Sequence, residues 1–142
     1  MTLPAWPSGR YLLEWEDFAA AGAMRLINVS NGHSGPTIDS SDSIMSADVS
    51  SNGQRLVCCV QDLNTGDLEL KTVAMDGSNQ TVLLSGTYSD EYQATSAAWS
   101  PDGTRIAFDL FDNNTYADTI AIMNADGSDE ATYGSGRVTR WR

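Results

Sequence analysis

The chain repeats itself, without a gap, at an offset of 50 residues. Ser46-Ala47 returns as Ser96-Ala97, and Ser50, Gly53 and Arg55 return as Ser100, Gly103 and Arg105. Asn64-Thr65 matches Asn114-Thr115, Asp76-Gly77-Ser78 matches Asp126-Gly127-Ser128, and Ser85-Gly86 matches Ser135-Gly136. Many of these matches fall at turns, where Gly, Asn and Asp permit the positive φ that a tight reversal needs. The beginning of the chain joins at an offset of 45, with Arg10 on Arg55, Leu13 on Cys58, Asp17 on Asp62 and Asn31-Gly32 on Asp76-Gly77. Three units result, near 2–42, 43–92 and 93–136. A period of this size restricts the chain to a solenoid, a propeller or an array of small units.

The last unit is the clearest. Thr95–Trp99 reads as a strand leading into the turn Ser100-Pro101-Asp102-Gly103, where Pro presets the first turn position. Ile106, Phe108 and Leu110 then alternate with Arg105, Ala107 and Asp109, the period of a strand. A polar loop over Asp112–Ala117 precedes a strand over Thr119–Asn124, Asp126-Gly127 makes a hairpin turn, and Ala131–Tyr133 returns as a fourth strand. Four strands in about 40 residues is a propeller blade. Tyr11, Leu13 and Trp15 take the alternating positions in the first unit, behind the shortened turn Pro7-Ser8-Gly9. Phe18–Met24 reads as a loop, and the Ser-, Asp- and Thr-rich segments 39–45 and 87–94 read as connections between blades.

Arg137–Trp141 resembles Thr95–Trp99, with Trp141 in the place of Trp99, Val49 and Trp6. The expected fold is therefore all-β: three four-stranded antiparallel blades plus an extra first strand of a fourth at 137–141. Another chain or a further segment would complete the ring. Ile106, Phe108, Leu110, Ile120 and Ile122, with Leu56, Cys58 and Val60 as equivalents, are expected to be buried between blades.

The run AWSPDGTRIAF (Ala98–Phe108), followed by a strand and NADGS (Asn124–Ser128), resembles the TolB-type propeller repeat. The resemblance is strongest over 96–136, good over 46–86 and in register over 2–36. The second unit departs from it at Val49-Ser50-Ser51-Asn52-Gly53, which lacks the Trp and the Pro. The first has Trp6-Pro7-Ser8-Gly9, one residue short. The resemblance implies six blades, within the usual range of about four to eight, and a partner peptide held at the mouth of the central channel. It carries no functional residue over to this chain, and it allows a periplasmic or secreted setting. The same repeat occurs in propeller domains attached to peptidases, so it bears on fold rather than on function.

A net charge of −11 disfavours nucleic acid and anionic membrane surfaces as partners. There is no apolar run of about 18 residues to make a membrane span, and MTLPAWPSGR does not read as a signal peptide. Cys58 and Cys59 are adjacent; consecutive strand residues face opposite ways, so they read as two buried free thiols rather than a disulfide or a zinc site. His33, the sole histidine, follows the Asn31-Gly32 turn and reads as a surface residue. There is no Gly-x-Ser-x-Gly elbow to accompany a catalytic triad.

Asn124–Asp129 fails the EF-hand pattern, because Ile122 stands where the first acidic ligand belongs. The oxygen-rich loop with Asp109, Asp112, Asn113, Asn114 and Asp118 is a weak calcium candidate, better read as solvated. Asn28, Asn79 and Asn113 begin N-glycosylation triplets, with Asn28 inside a predicted strand.

These observations point to a non-enzymatic propeller module that binds a protein or peptide, with no cofactor. Two alternatives are a structural subunit that assembles into a ring or filament, and the propeller part of a peptidase or other hydrolase. Two open blade faces favour self-assembly, a two-fold six-bladed homo-oligomer being the simplest, or else the chain is part of a longer propeller. In the homo-oligomer, Val138 and Trp141 of one chain would compete with Leu3 and Trp6 of the next for one innermost strand position.

Overall fold

The computed structural model describes residues 11–15, 24–28, 31–39, 42–86 and 92–141, and every regular element among them is a strand. β1 (Tyr11–Trp15), β2 (Met24–Asn28) and β3 (Ser34–Asp39) form one antiparallel sheet. β4 (Asp42–Val49), β5 (Arg55–Asp62), β6 (Leu68–Ala74) and β7 (Thr81–Gly86) form a second, with neighbours in chain order. β8 (Tyr92–Trp99), β9 (Arg105–Asp112), β10 (Ala117–Asn124) and β11 (Ala131–Ser135) form a third in the same way. The predicted first strand around Leu3 and Trp6 lies outside the described residues. So does the predicted loop over 18–23, whereas its last residue, Met24, opens β2.

The second and third sheets show why the turns repeat. Arg55 donates its backbone N–H to Ser50 Oγ at 3.0 Å, and Arg105 does the same to Ser100 Oγ at 2.9 Å. Those hydroxyls donate in turn to Asn52 Oδ1 at 2.8 Å and Asp102 Oδ1 at 2.6 Å. Both serines are buried, so each closes its turn from within and satisfies a strand-end N–H. Gly53 and Gly103 share a φ of +70°, where a side chain is disfavoured. One hairpin later, Asp76 and Asp126 accept the N–H groups of Ser78 and Ser128 at 2.9 and 3.0 Å.

Strand boundaries depart from the sequence reading at one recurrent place. The segments 39–45 and 87–94 are not simply connections, because β4 opens at Asp42 and β8 at Tyr92. The register slips between Ile44 and Ser46, and again between Ala94 and Ser96. A bulge inserts an extra residue and reverses the alternation. The two-residue pattern therefore breaks there while pairing continues, to Asp42 opposite Asp62 and Tyr92 opposite Asp112. Likewise Asp112 pairs with Ala117, which shortens the predicted loop between them to a tight turn.

The second and third sheets pack face to face. Val57, Cys59 and Leu70 meet Ala97, Trp99, Ile106, Phe108, Leu110, Ala121 and Met123. Leu56, Cys58 and Val60 are fully buried on the other face of the second sheet, with Ile44 and Val73. Cys58 and Cys59 thus point to opposite faces, both buried and neither in a disulfide. The expectation for Ile120 and Ile122 fails. The register sets Ala121 opposite Phe108 and Met123 opposite Ile106, so those two residues take the inter-sheet positions. Ile120 and Ile122 face the other way and are only partly buried.

Candidate functional site

The outward face of the third sheet is built from alternate residues of β8, β9 and β10. Residues opposite one another in a ladder share a face. Ser96 and Ile120 lie opposite Asp109, Ala98 and Ile122 opposite Ala107, and Asp118 opposite Phe111. Residues 137–141 lie over this face. Gly136 brings them there, at a φ of +148° and so close to Ile120 that an added Cβ would come within 3.2 Å of its Cδ1. The predicted strand over 137–141 pairs with no strand among the described residues. It rests on a sheet face, whereas a ladder forms only along a sheet edge.

Val138 is the point of attachment. Its side chain is buried against Ala98 and Ala107, with Ile120, Ile122 and Trp141 alongside. Its N–H donates to Asp109 Oδ1 at 3.1 Å, and its carbonyl accepts from Ser96 Oγ at 2.7 Å. Thr95 Oγ1 donates to the second oxygen, Asp109 Oδ2, at 2.8 Å. Arg137 Nε donates to Asp118 Oδ2 at 2.6 Å, and Gly136 N donates to the Asp118 carbonyl at 3.0 Å. A cleft of about 490 Å³ opens here, lined by Thr95, Ser96, Asp109, Phe111 and residues 137–139.

Asp109 is only 1% exposed, although it borders this cleft. Burial pushes its carboxyl above the ordinary carboxylate value; the Thr95 hydroxyl and the Val138 N–H pull back, and the Asp118 charge adds to the rise. In the second sheet the same position is Cys59, in the contact with the third sheet, where burial raises the thiol to about 12. A second carboxylate does comparable work there. Asp48 Oδ2 accepts the N–H of Trp99 at 2.8 Å, tying β8 to the second sheet. Burial raises Asp48 as well, while the N–H groups of Trp99 and Val49 and the charge of Arg140 oppose the rise.

Of the residues singled out in the sequence, Val138 and Trp141 come together on this face, and Leu3 and Trp6 lie outside the described residues. The calcium candidates are spread out and occupied. Asp112 Oδ1 accepts the N–H groups of Asn114 and Thr115 at 2.7 and 3.2 Å, and Asp112 Oδ2 accepts the Thr115 hydroxyl at 2.7 Å. Asn114 is exposed, Asp109 holds Val138, and Asp118 holds Arg137. Among the described residues, no group of three or more His, Cys, Asp or Glu is placed to hold a metal ion. His33 is exposed, with its N–H on Asn31 Oδ1 at 3.0 Å. No described helix is long and apolar enough to cross a membrane.

Ser96, Thr95 and Asp48 escaped the sequence reading. The available signal was a break in the repeat, since Asp48 stands where the last unit has Ala98, and Asp109 where the second has Cys59. A polar residue in a position that is otherwise apolar marked both carboxylates.

No family model and no curated protein sequence matches the chain. Solved structures do. A protein described as TolB from Agrobacterium tumefaciens superposes with a TM-score of 0.75 at 17% identity, over 97% of this chain and 53% of its own. The β-propeller domain of the Trilobed protease from Pyrococcus furiosus superposes with a TM-score of 0.65 at 10% identity, over 94% of this chain and 43% of its own. The chain folds as β-propeller blades. A chain of a nidogen/laminin complex also superposes, with a TM-score of 0.66 at 15% identity, over 92% of this chain and 47% of its own. This chain spans about half the length of these propeller structures. The outward face of the third sheet is therefore a blade face, and Val138 and Trp141 pack on it.

Proposed function

We propose that this chain is a TolB-like, non-enzymatic propeller module that binds protein or peptide and self-assembles. In this reading it supplies three blades, near 2–42, 43–92 and 93–136, and a first strand at 137–141. The observation that carries it is the hold on Val138. One residue of an extended segment has its N–H taken by Asp109, its C=O taken by Ser96 and its side chain sunk between Ala98 and Ala107. That is how a surface recognises a peptide backbone: main-chain hydrogen bonds supply affinity and an apolar pocket supplies selectivity. The nidogen/laminin complex supports the reading to the extent that a propeller fold is found in a protein–protein complex.

The test uses the full chain with Val138→Asp, which empties the seat by placing a charge in an apolar pocket. A labelled peptide with the sequence of residues 136–142 is titrated in and followed by fluorescence anisotropy. Saturable binding is expected to the variant and much weaker binding to the wild type, whose own segment fills the seat. The same peptide with Asp in place of valine should not bind. No saturable binding, to a variant whose circular dichroism is unchanged, would overturn the proposal.

A further inference from the structure

The sequence contains Ser-Asn-Gly twice, at Ser30-Asn31-Gly32 and at Ser51-Asn52-Gly53. An asparagine before a glycine is open to attack on its side chain by the backbone, because no Cβ shields the glycine nitrogen. Gly32 and Gly53 both have open space where a Cβ would stand, so crowding does not separate the two sites. Hydrogen bonding does. Asn52 Oδ1 accepts the Ser50 hydroxyl at 2.8 Å and the Gln54 N–H at 3.1 Å, and the Gly53 N–H donates to the Ser50 carbonyl at 2.8 Å. Ser50 is itself buried and holds the Arg55 N–H at the start of β5. Asn31, Gly32 and His33 are all exposed, in the segment between β2 and β3. Among the described residues the Asn31 side chain has one partner, the His33 N–H, which donates to its Oδ1 at 3.0 Å.

We propose that Asn31 is a site of spontaneous deamidation in the folded chain, while the turn around Asn52 protects that residue. The Gly32 nitrogen gives its proton to hydroxide and bonds to the Asn31 Cγ. The Cγ–Nδ2 bond breaks, Nδ2 takes a proton from solvent and leaves as ammonia, and a succinimide ring remains. Water then opens the ring. Addition at Cγ breaks its bond to the Gly32 nitrogen and gives aspartate; addition at the backbone carbonyl breaks the other bond and gives isoaspartate. The co-reactant is water, and nothing is oxidised or reduced.

The repeat already contains the aspartate product. Asn31 stands where the later units have Asp76 and Asp126, which accept the N–H groups of Ser78 and Ser128 at 2.9 and 3.0 Å, as Asn31 accepts that of His33. Aspartate at 31 keeps this bond with a charged acceptor and adds one negative charge to a chain at −11. Isoaspartate instead puts a methylene into the backbone and lengthens the turn that sets Ile27 opposite Ser34.

The chain is held in warm, mildly alkaline buffer, folded in one series and in urea in another. Samples taken over days are digested in acid, and the peptides holding Asn31 and Asn52 are followed by mass spectrometry. In the folded chain Asn31 should deamidate several-fold faster than Asn52. In urea, where the protecting turn is open, the two rates should converge. Ser50→Ala with unchanged circular dichroism should speed Asn52 and leave Asn31 alone; if that variant does not fold, the urea series decides. Equal rates in the folded chain, or a faster Asn52, would overturn the proposal. So would an Asn31 that reacts only in urea, or a gap that persists in urea and so comes from the neighbouring residues rather than the fold.

Discussion

Replacing Phe108 by alanine removes the largest fully buried side chain among the described residues, from the contact between the second and third blades. An aromatic side chain buries about 150–250 Å², worth about 4–6 kcal/mol at about 25 cal/mol per Å². Alanine keeps part of that, and large-to-small truncations in cores cost about 3–5 kcal/mol. The upper part of the range applies here. The neighbours Val57 and Leu70 belong to one sheet and Ala97 and Ala121 to the other, so hydrogen-bonded ladders keep them from closing the cavity. At about 2.1 cal/mol/K per residue over 142 residues, a loss of about 4–5 kcal/mol lowers Tm by about 13–17 °C. Urea unfolding with unchanged m-value is the assay. Ile120→Ala on the outward face, only partly buried, should cost about 1 kcal/mol. A loss below about 1 kcal/mol for Phe108→Ala, or an equal loss for both, would refute the assignment of the two faces.

Cys58 and Cys59 should label slowly in the native state and rapidly in urea, since both are buried and Cys59 is pushed up to about 12; fast native labelling of both would contradict their strand positions. Asp102 and Asp109 should respond to acid in opposite senses. The Ser100 hydroxyl, then the Thr104 N–H and hydroxyl, hold Asp102 at about 2, so its support is full above 3.8 and is lost as pH falls through about 2. The penalty of Asp102→Ala should shrink over that descent. The raised carboxyl of Asp109 weighs against the folded state above its folded value, and that burden lifts as pH falls toward 3.8. Wild type should therefore gain on Asp109→Asn as the medium is acidified, measured by urea unfolding across the pH series. Calcium should leave Tm unchanged; a clear rise would make the Asp109–Asp118 region a site through binding linkage.

The turns and the alternation of β5 and β9 were legible in the sequence because tight reversals and half-buried strands admit few residue types. Two things were not. The bulges at Ile44/Ser46 and Ala94/Ser96 broke the alternation, so the first four residues of β4 and the first three of β8 read as connection. The facing of β10 depends on its register with β9, which short-range periodicity does not set, and so Ile120 and Ile122 were placed on the wrong side. The hold on Val138 joins residues 29 and 42 apart in sequence, through a hydroxyl and a carboxylate of ordinary type. Only the break in the repeat at Asp109 hinted at it.

The mass of the particle in solution bears most directly on self-assembly. The chain weighs 15.3 kDa. Light scattering on the purified chain should give a multiple of that mass, twice it for a two-fold six-bladed ring, and deletion of residues 137–142 should lower it. A well-behaved monomer at the mass of one chain, both before and after the deletion, would contradict the proposal.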